Sequence, residues 1–205
     1  IPSSLGRQLL PSLISEFQRA WPNIRIKVHG DDSSVDLIGD GYDLAINVSE
    51  KLKDSNLVCR RLGTTQTVLA ASPGYLDQFG VPESFPELKQ HRCLGFGSML
   101  EDDATWSFAA LRTGNKEPGQ FPVVADNVDL LIDAACQDIG IICVPQAFIL
   151  RELEQGKLRI LLPGTDKAVS LGVFVVYPHR NTATKVKVLV DFMEAEMRAL
   201  GVFDE

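Results

Sequence analysis

Apolar residues recur along the chain with two alternating spacings, one helical and one extended. Leu5, Leu9, Leu13 and Phe17, with Leu10, Ile14 and Trp21, follow the i, i+3, i+4 spacing of one helix face. That helix starts at Ser3 or Ser4, either of which can cap it, and Pro22 stops it. "IRIKV" (24–28) alternates strictly and predicts a strand. "SSVDLIGDG" (33–41) predicts a short helix closed by glycine, and "YDLAINV" (42–48) a further strand. "LVCRRLG" and "QTVLAAS" predict two strands divided by a polar turn at "GTT". Strand–helix–strand order of this kind implies right-handed crossovers and a parallel sheet.

At Ser72–Pro73 the pattern switches from strand to helix, with serine placed to cap and proline where its missing N–H costs nothing. Beyond it, "RCLGFGS" (92–98), "TWSFAAL" (105–111) and "QFPVVA" (120–125) predict strands. "NVDLLIDAACQDIG" (127–140) is an amphipathic helix with Asn127 as cap, followed by the buried strand "IIC". "PQAFILRELEQG" (145–156) predicts one helix between a proline and a glycine. "KLRILLP" and "LGVFVVYP" (171–178) are the last strands, and "TATKVKVLVDFMEAEMRALG" (182–201) the closing helix.

At 205 residues the chain can bury a proper core as one large domain or two small lobes. Its net charge of -7, with no long basic run, argues against gripping nucleic acid by itself, because phosphate binding needs concentrated Lys and Arg. Cys59, Cys93, Cys136 and Cys143 lack C-x-x-C spacing, and Cys136 and Cys143 sit in apolar runs. They are expected as free thiols in a reducing, cytoplasmic setting rather than as a disulfide frame. No stretch approaches the ~20 apolar residues of a membrane span, and no signal peptide is recognisable.

Catalytic and metal constellations are poorly represented. His29, His91 and His179 are scattered, and Cys93 follows His91 by two residues with no third group to orient an imidazole. "GFGS" lacks the G-x-S-x-G elbow, "GTTQT" lacks a P-loop lysine, and H-x-x-x-H spacing is absent. The expectation is a protein without enzymatic activity, metal or cofactor.

"LLPSLISEFQRAWPNIRIKV", "GDGYDLAI", "DSNLVCRRLG", "VLAASPGYLDQFGVPESFPELKQHRCL" and "DIGIICVPQ" follow one another in an order and spacing that resembles the effector-binding domain of LysR-type transcriptional regulators. The resemblance runs from about Ser3 to Phe192; its most specific part is "ASPGYL" with the later "HRCL". It implies an α/β fold of two Rossmann-like lobes joined by two crossover strands, as in type II periplasmic binding proteins. Residues 1–71 with 173–205 would form lobe I and residues 72–172 lobe II. The family's winged helix-turn-helix would precede Ile1 and is absent from this chain, so DNA would be contacted only through that part. The resemblance further implies an antiparallel homodimer, with Leu10 and Ile14 available to the contact, and a tetramer in the full-length protein.

In open sheets ligands bind outside the carboxyl ends of strands, where helix N-termini point. With the implied lobes facing each other, Ser3, Ser4 and Leu5 would stand on one wall of a cleft and Asn127 and Val128 on the other. The competing reading is that Ser3, Ser4 and Asn127 only cap helices. Asp32 and Ser33 after the second strand, and Asn47 at the end of "DLAIN", are further pocket positions implied by the resemblance. Close relatives often carry arginine where Asn47 stands, so a guanidinium fork for a carboxylate is missing there. The expected effector is therefore a small polar or anionic metabolite, a zwitterion included. Thr64, Thr65 and Gln66 offer hydroxyl and amide groups or form an exposed turn; Phe96, Gly97 and Phe174 offer an apolar wall or are simply core. The competing function is a free-standing solute-binding protein of a transport system, which would show a secretory signal and disulfides.

Overall fold

The structure is a computed structural model that describes residues 1–31, 37–51, 57–97, 120–164, 168–178 and 183–200. Its elements in chain order are α1 (Ser3–Ala20), β1 (Ala45–Ser49), β2 (Leu57–Ala71), α2 (Pro73–Phe79), a 3-10 turn (Phe85–Gln90), β3 (Arg92–Phe96), β4 (Gln120–Ala125), α3 (Val128–Cys136), β5 (Ile142–Pro145), a second 3-10 turn (Gln146–Phe148), α4 (Leu150–Glu154), β6 (Arg159–Leu161), β7 (Ser170–Pro178) and α5 (Thr184–Leu200). The chain divides into two compact units, Ile1–Thr65 with Ser170–Glu205, and Gln66–Val169. The sequence set the boundaries at 71/72 and 172/173. The strand break expected at "GTT" does not occur: Thr64 and Thr65 are buried, β-branched residues of one continuous β2, and from Thr67 onward β2 pairs with strands of the second unit.

In the first unit, β1 lies antiparallel to β7, from Ala45↔Val176 to Ser49↔Gly172, with β2 next to β7 in the hydrogen-bonded order. Leu5, Leu9, Leu13 and Phe17 form the buried stripe of α1, as their spacing predicts. Val186, Val190, Met193 and Met197 form the corresponding stripe of α5. Phe17 joins the two helices through ring contacts with Trp21 (4.9 Å) and Phe192 (5.3 Å). Residues 24–28 are not a strand among the described residues. Alternation selects an extended run, but a strand also needs a paired neighbour, and β1 takes β7 instead. The segment beyond is tied at His29 and Asp31, which accept from and donate to the main chain of Ile1 at 3.2 and 3.1 Å. The helix expected at 33–41 lies partly outside the described residues; residues 37–41 form a turn.

In the second unit, β2 lies between β5 (Thr67↔Pro145 to Ala70↔Ile142) and β6 (Leu69↔Leu161 to Ala71↔Arg159), both antiparallel to it. β3 and β4 run parallel and end together at Phe96↔Ala125. Parallel pairing, expected throughout, joins β3 to β4 and, through the Cys93–Ile141 bridge, β3 to the residue before β5, whereas β1–β7, β2–β5 and β2–β6 are antiparallel: residue alternation marks strands but carries no information on direction. The strand expected at 105–111 lies outside the described residues. The single helix expected at 145–156 is broken at Ile149, whose φ of -127° leaves the helical region, giving a 3-10 turn and a short α4.

The "ASPGYL…HRCL" residues make one local assembly inside this unit. Ser72 caps α2, its Oγ accepting from the Tyr75 N–H at 3.3 Å and donating to Asp138 at 2.6 Å. Tyr75 is fully buried; its hydroxyl accepts the Arg92 N–H at 2.9 Å and meets His91 Nδ1 at 3.2 Å. Gly80, at φ 85°, ends the helix in a conformation that side chains resist. Ser72–Pro73 is therefore the start of a helix already within the second unit, six residues past the passage from the first.

Candidate functional site

Pro2, not either serine, is the N-cap of α1, and no side chain caps that end. Ser3 and Ser4 are instead its first two helical residues, with Leu5 buried behind them. A helix cannot satisfy its own first-turn amides, and no acidic residue in this turn offsets the positive end of the dipole. Ser4 is fully buried, yet its Oγ finds no hydrogen-bond partner among the described residues. Gln8, one turn on and also buried, extends the same polar face. Gly30 passes close over Ser3: a Cβ there would stand 3.1 Å from the Ser3 Oγ.

Asn47 is exposed on β1 and stands opposite half-buried Phe174 on β7, so their side chains share one face of the first unit's sheet. Thr64 and Thr65 are buried rather than forming an exposed turn, whereas Gln66 is exposed. Asp32 and Ser33 lie outside the described residues.

In the second unit the parallel pair gathers four of the expected residues at its carboxyl end. Phe96 is paired with Ala125, the Gly97 N–H donates to the Ala125 carbonyl at 3.1 Å, and the chain leaving β4 reaches Asn127 and Val128 two residues later. Asn127 does cap α3: its Oδ1 accepts from the Leu130 N–H at 3.0 Å, while its side chain remains exposed. Val128 is buried. Each unit therefore presents a helix start with polar groups beside strand residues, the arrangement in which small anions are held by amides and hydroxyls rather than by lysine. The sequence reading missed Ser49, whose Oγ is buried with no partner among the described residues. Its position two residues after Asn47, on the same strand face, was the available signal.

A small hollow of about 50 Å³ lies within the second unit, lined by Gln66, Leu69, Phe85, Cys143 and Leu161 among others. That space suits a few waters rather than a metabolite.

Cys93 is buried, its thiol close to the carbonyls of Leu88 and His91, and burial followed by the nearby Cys143 pushes it up to about 12. It is a protonated thiol at neutral pH, and the His91 Nδ1 is engaged with Tyr75, so no activated Cys–His pair forms. Thiol titration of the native protein at pH 8 should modify exposed Cys59 first and reach Cys93 and Cys143 only after denaturation. Rapid modification of Cys93 in the folded protein would contradict its burial. Because the folded thiol keeps its proton until about 12 while the unfolded one ionises near 9, this group's contribution is full below pH 9 and declines as pH rises through that window. No group of three or more His, Cys, Asp or Glu side chains suited to a metal occurs among the described residues. No helix among them is long and apolar enough to cross a membrane.

The family model described as the LysR substrate binding domain matches residues 1–198. A curated relative from Haemophilus influenzae, an uncharacterized HTH-type transcriptional regulator, is 31% identical over 180 residues, covering 88% of this chain and 62% of its own. An HTH-type transcriptional regulator from Xanthomonas campestris pv. campestris is 32% identical over 198 residues, covering 94% of this chain and 57% of its own. This chain thus spans roughly three fifths of the curated relatives it matches. Among solved structures, the regulatory domain of CrgA, a LysR-type transcriptional regulator from Neisseria meningitidis, superposes with a TM-score of 0.83 at 26% identity, covering 96% of this chain and 95% of that one. The effector domain of AmpR from Pseudomonas aeruginosa shares the fold at 20% identity, with a TM-score of 0.74 over 98% of this chain and 94% of that one.

Proposed function

Because the chain belongs to the LysR substrate binding domain family, with its type II periplasmic-binding-protein-like α/β fold, we propose that it is the effector-sensing part of a DNA-binding transcriptional regulator. A small polar or anionic metabolite binds between the two lobes, at the first turn of α1 and the start of α3, and shifts the lobe arrangement. The shift is limited by the effector's difference in affinity for the two arrangements, ~1.4 kcal/mol for each tenfold. A helix-turn-helix segment, as the names of the relatives indicate for them, carries the DNA contact. A homodimer, and a tetramer in the full-length protein, presents those segments to DNA. The protein has no catalytic role and works in the cytoplasm, where its thiols stay reduced.

The observation that carries this reading is the buried Ser4 hydroxyl without a partner, at an uncapped helix start with no neighbouring acid. Buried hydroxyls are nearly always satisfied, and an effector oxygen would satisfy this one. Thermal-shift screening of the chain against amino acids, aromatic acids and small dicarboxylates tests it, since a ligand raises the midpoint by mass action. Ser4→Ala should weaken the best hit about tenfold. Asn127→Asp keeps a good cap but sets a carboxylate at the second helix start, and should repel an anionic hit. Undiminished binding in both variants would move the site elsewhere.

A further inference from the structure

We propose that the ring of Phe174 is a displaceable plug over a slot floored by Gly172 and walled by the Ser49 hydroxyl. When the ring swings out, the slot receives one flat ring bearing a hydroxyl or carbonyl oxygen. The inference deepens the effector reading and rests on it for the slot's role in signalling, though not for the slot itself.

The register of β1 and β7 sets Ser49 opposite Gly172 and Asn47 opposite Phe174, so all four positions share one sheet face. Phe174 is two residues beyond Gly172 on the same strand, and its ring leans back over that glycine. A Cβ on Gly172 would clash with the Cε2–Cζ edge of the ring. The glycine thus leaves a space one aromatic ring thick, which Phe174 fills from its own strand. Directly opposite stands Ser49, whose Oγ is buried and without a hydrogen-bond partner among the described residues. An aromatic ring cannot accept that hydroxyl's bond as an oxygen would, so the closed arrangement leaves a polar group unsatisfied. Phe174 is only half-buried, which gives its ring a solvent-side route for rotation about χ1. The atoms that resist substitution at Gly172 are the far end of this side chain, not backbone, so the slot opens without moving the sheet.

The occupant's chemistry follows from these groups. The floor is flat and apolar, the wall offers one hydroxyl, and exposed Asn47 offers an amide at the rim. None of the four is charged. A flat ring with an oxygen substituent can take over the contacts of Phe174 with Gly172 and also bond Ser49, which Phe174 cannot do. Phe174 then acts as a specificity residue: a ligand must outcompete it.

Phenol and toluene are suitable probes, being single rings of nearly one size that differ in a hydroxyl. Their dissociation constants are measured by NMR titration of the whole chain. Phe174→Ala should bind phenol at least tenfold more tightly than the parent and prefer it to toluene. Adding Ser49→Ala should abolish that preference while leaving toluene binding unchanged. Unaltered phenol affinity in Phe174→Ala, or a preference for phenol that survives Ser49→Ala, would overturn the proposal. Circular dichroism checks folding; should Phe174→Ala fail to fold, Phe174→Leu, which keeps a smaller cover, must show the same order of affinities. Ser49-dependent phenol binding, combined with an effector indifferent to Ser4 and Asn127, would uphold the slot and refute the effector site. The reverse combination would do the opposite.

Discussion

Phe17→Ala should lower the unfolding free energy by about 3–5 kcal/mol, the range for deleting a fully buried aromatic ring. Phe17 has no exposed surface and touches both Trp21 and Phe192, so the cavity lies on the seam between α1 and α5. Neither neighbour can collapse into it easily. Trp21 closes α1, its main-chain N–H bonded to the Phe17 carbonyl, and half-buried Phe192 lies on α5 in the same turn as buried Val190 and Met193. Urea denaturation followed by tryptophan fluorescence measures the change, with Trp21 reporting directly on the altered seam. A loss below about 1 kcal/mol would mean that the two helices do not share this core.

Gly140→Ala should cost about 1–3 kcal/mol, as overpacking at a rigid position does. A Cβ at Gly140 would lie 2.6 Å from the Arg92 carbonyl oxygen and 3.2 Å from a Leu94 methyl. That carbonyl accepts the Ile141 N–H at 2.8 Å, and the Ile141 carbonyl accepts the Leu94 N–H at the same distance. The methyl group therefore opposes main chain, not a mobile side-chain tip, and must part β3 from the start of β5. Hydrogen exchange at the amides of Ile141 and Leu94 should accelerate in step with the lost stability. Protection equal to the parent's would show that the bridge tolerates the extra atom. Gly74→Ala makes an instructive contrast, because its close neighbour is the Asp138 carboxylate, which can turn aside at the expense of its bond to Ser72.

The helices were legible because burial on one side imposes a period that local sequence must keep: the four-residue steps from Leu5 to Phe17 are the buried stripe itself. The cap at Ser72 and the cap at Asn127 were equally local, each needing only a side chain three residues before an amide. What escaped was decided at long range. Strand direction depends on which segment arrives alongside, and β1 meets a strand from the far end of the chain. The unbroken course of β2 through "GTT" depends on partners for Thr64 and Thr65 that no local pattern announces. Around the candidate site, attention to helix starts and strand ends proposes Ser4 and the Phe96–Asn127 edge as positions. It gave the wrong cap for α1, since proline before two serines reads as a preamble although Pro2 itself holds the cap position. Ser49 carries only one local signal, its two-residue step from Asn47; the glycine across from it, which gives it its setting, is a long-range partner.

The way the chain enters and leaves its second unit also sets an order of assembly. Residues 66–169 are consecutive, so every partner within that unit is available once Val169 has been synthesised. The host unit is split around it, and Phe17 must wait for Phe192 before its ring is covered. Contacts so far apart in sequence form late, because their loops must close first. During synthesis the inserted unit is thus able to fold while α1 still has an apolar stripe and nothing to lay it against, a period in which that stripe is open to chaperones or to a second nascent chain.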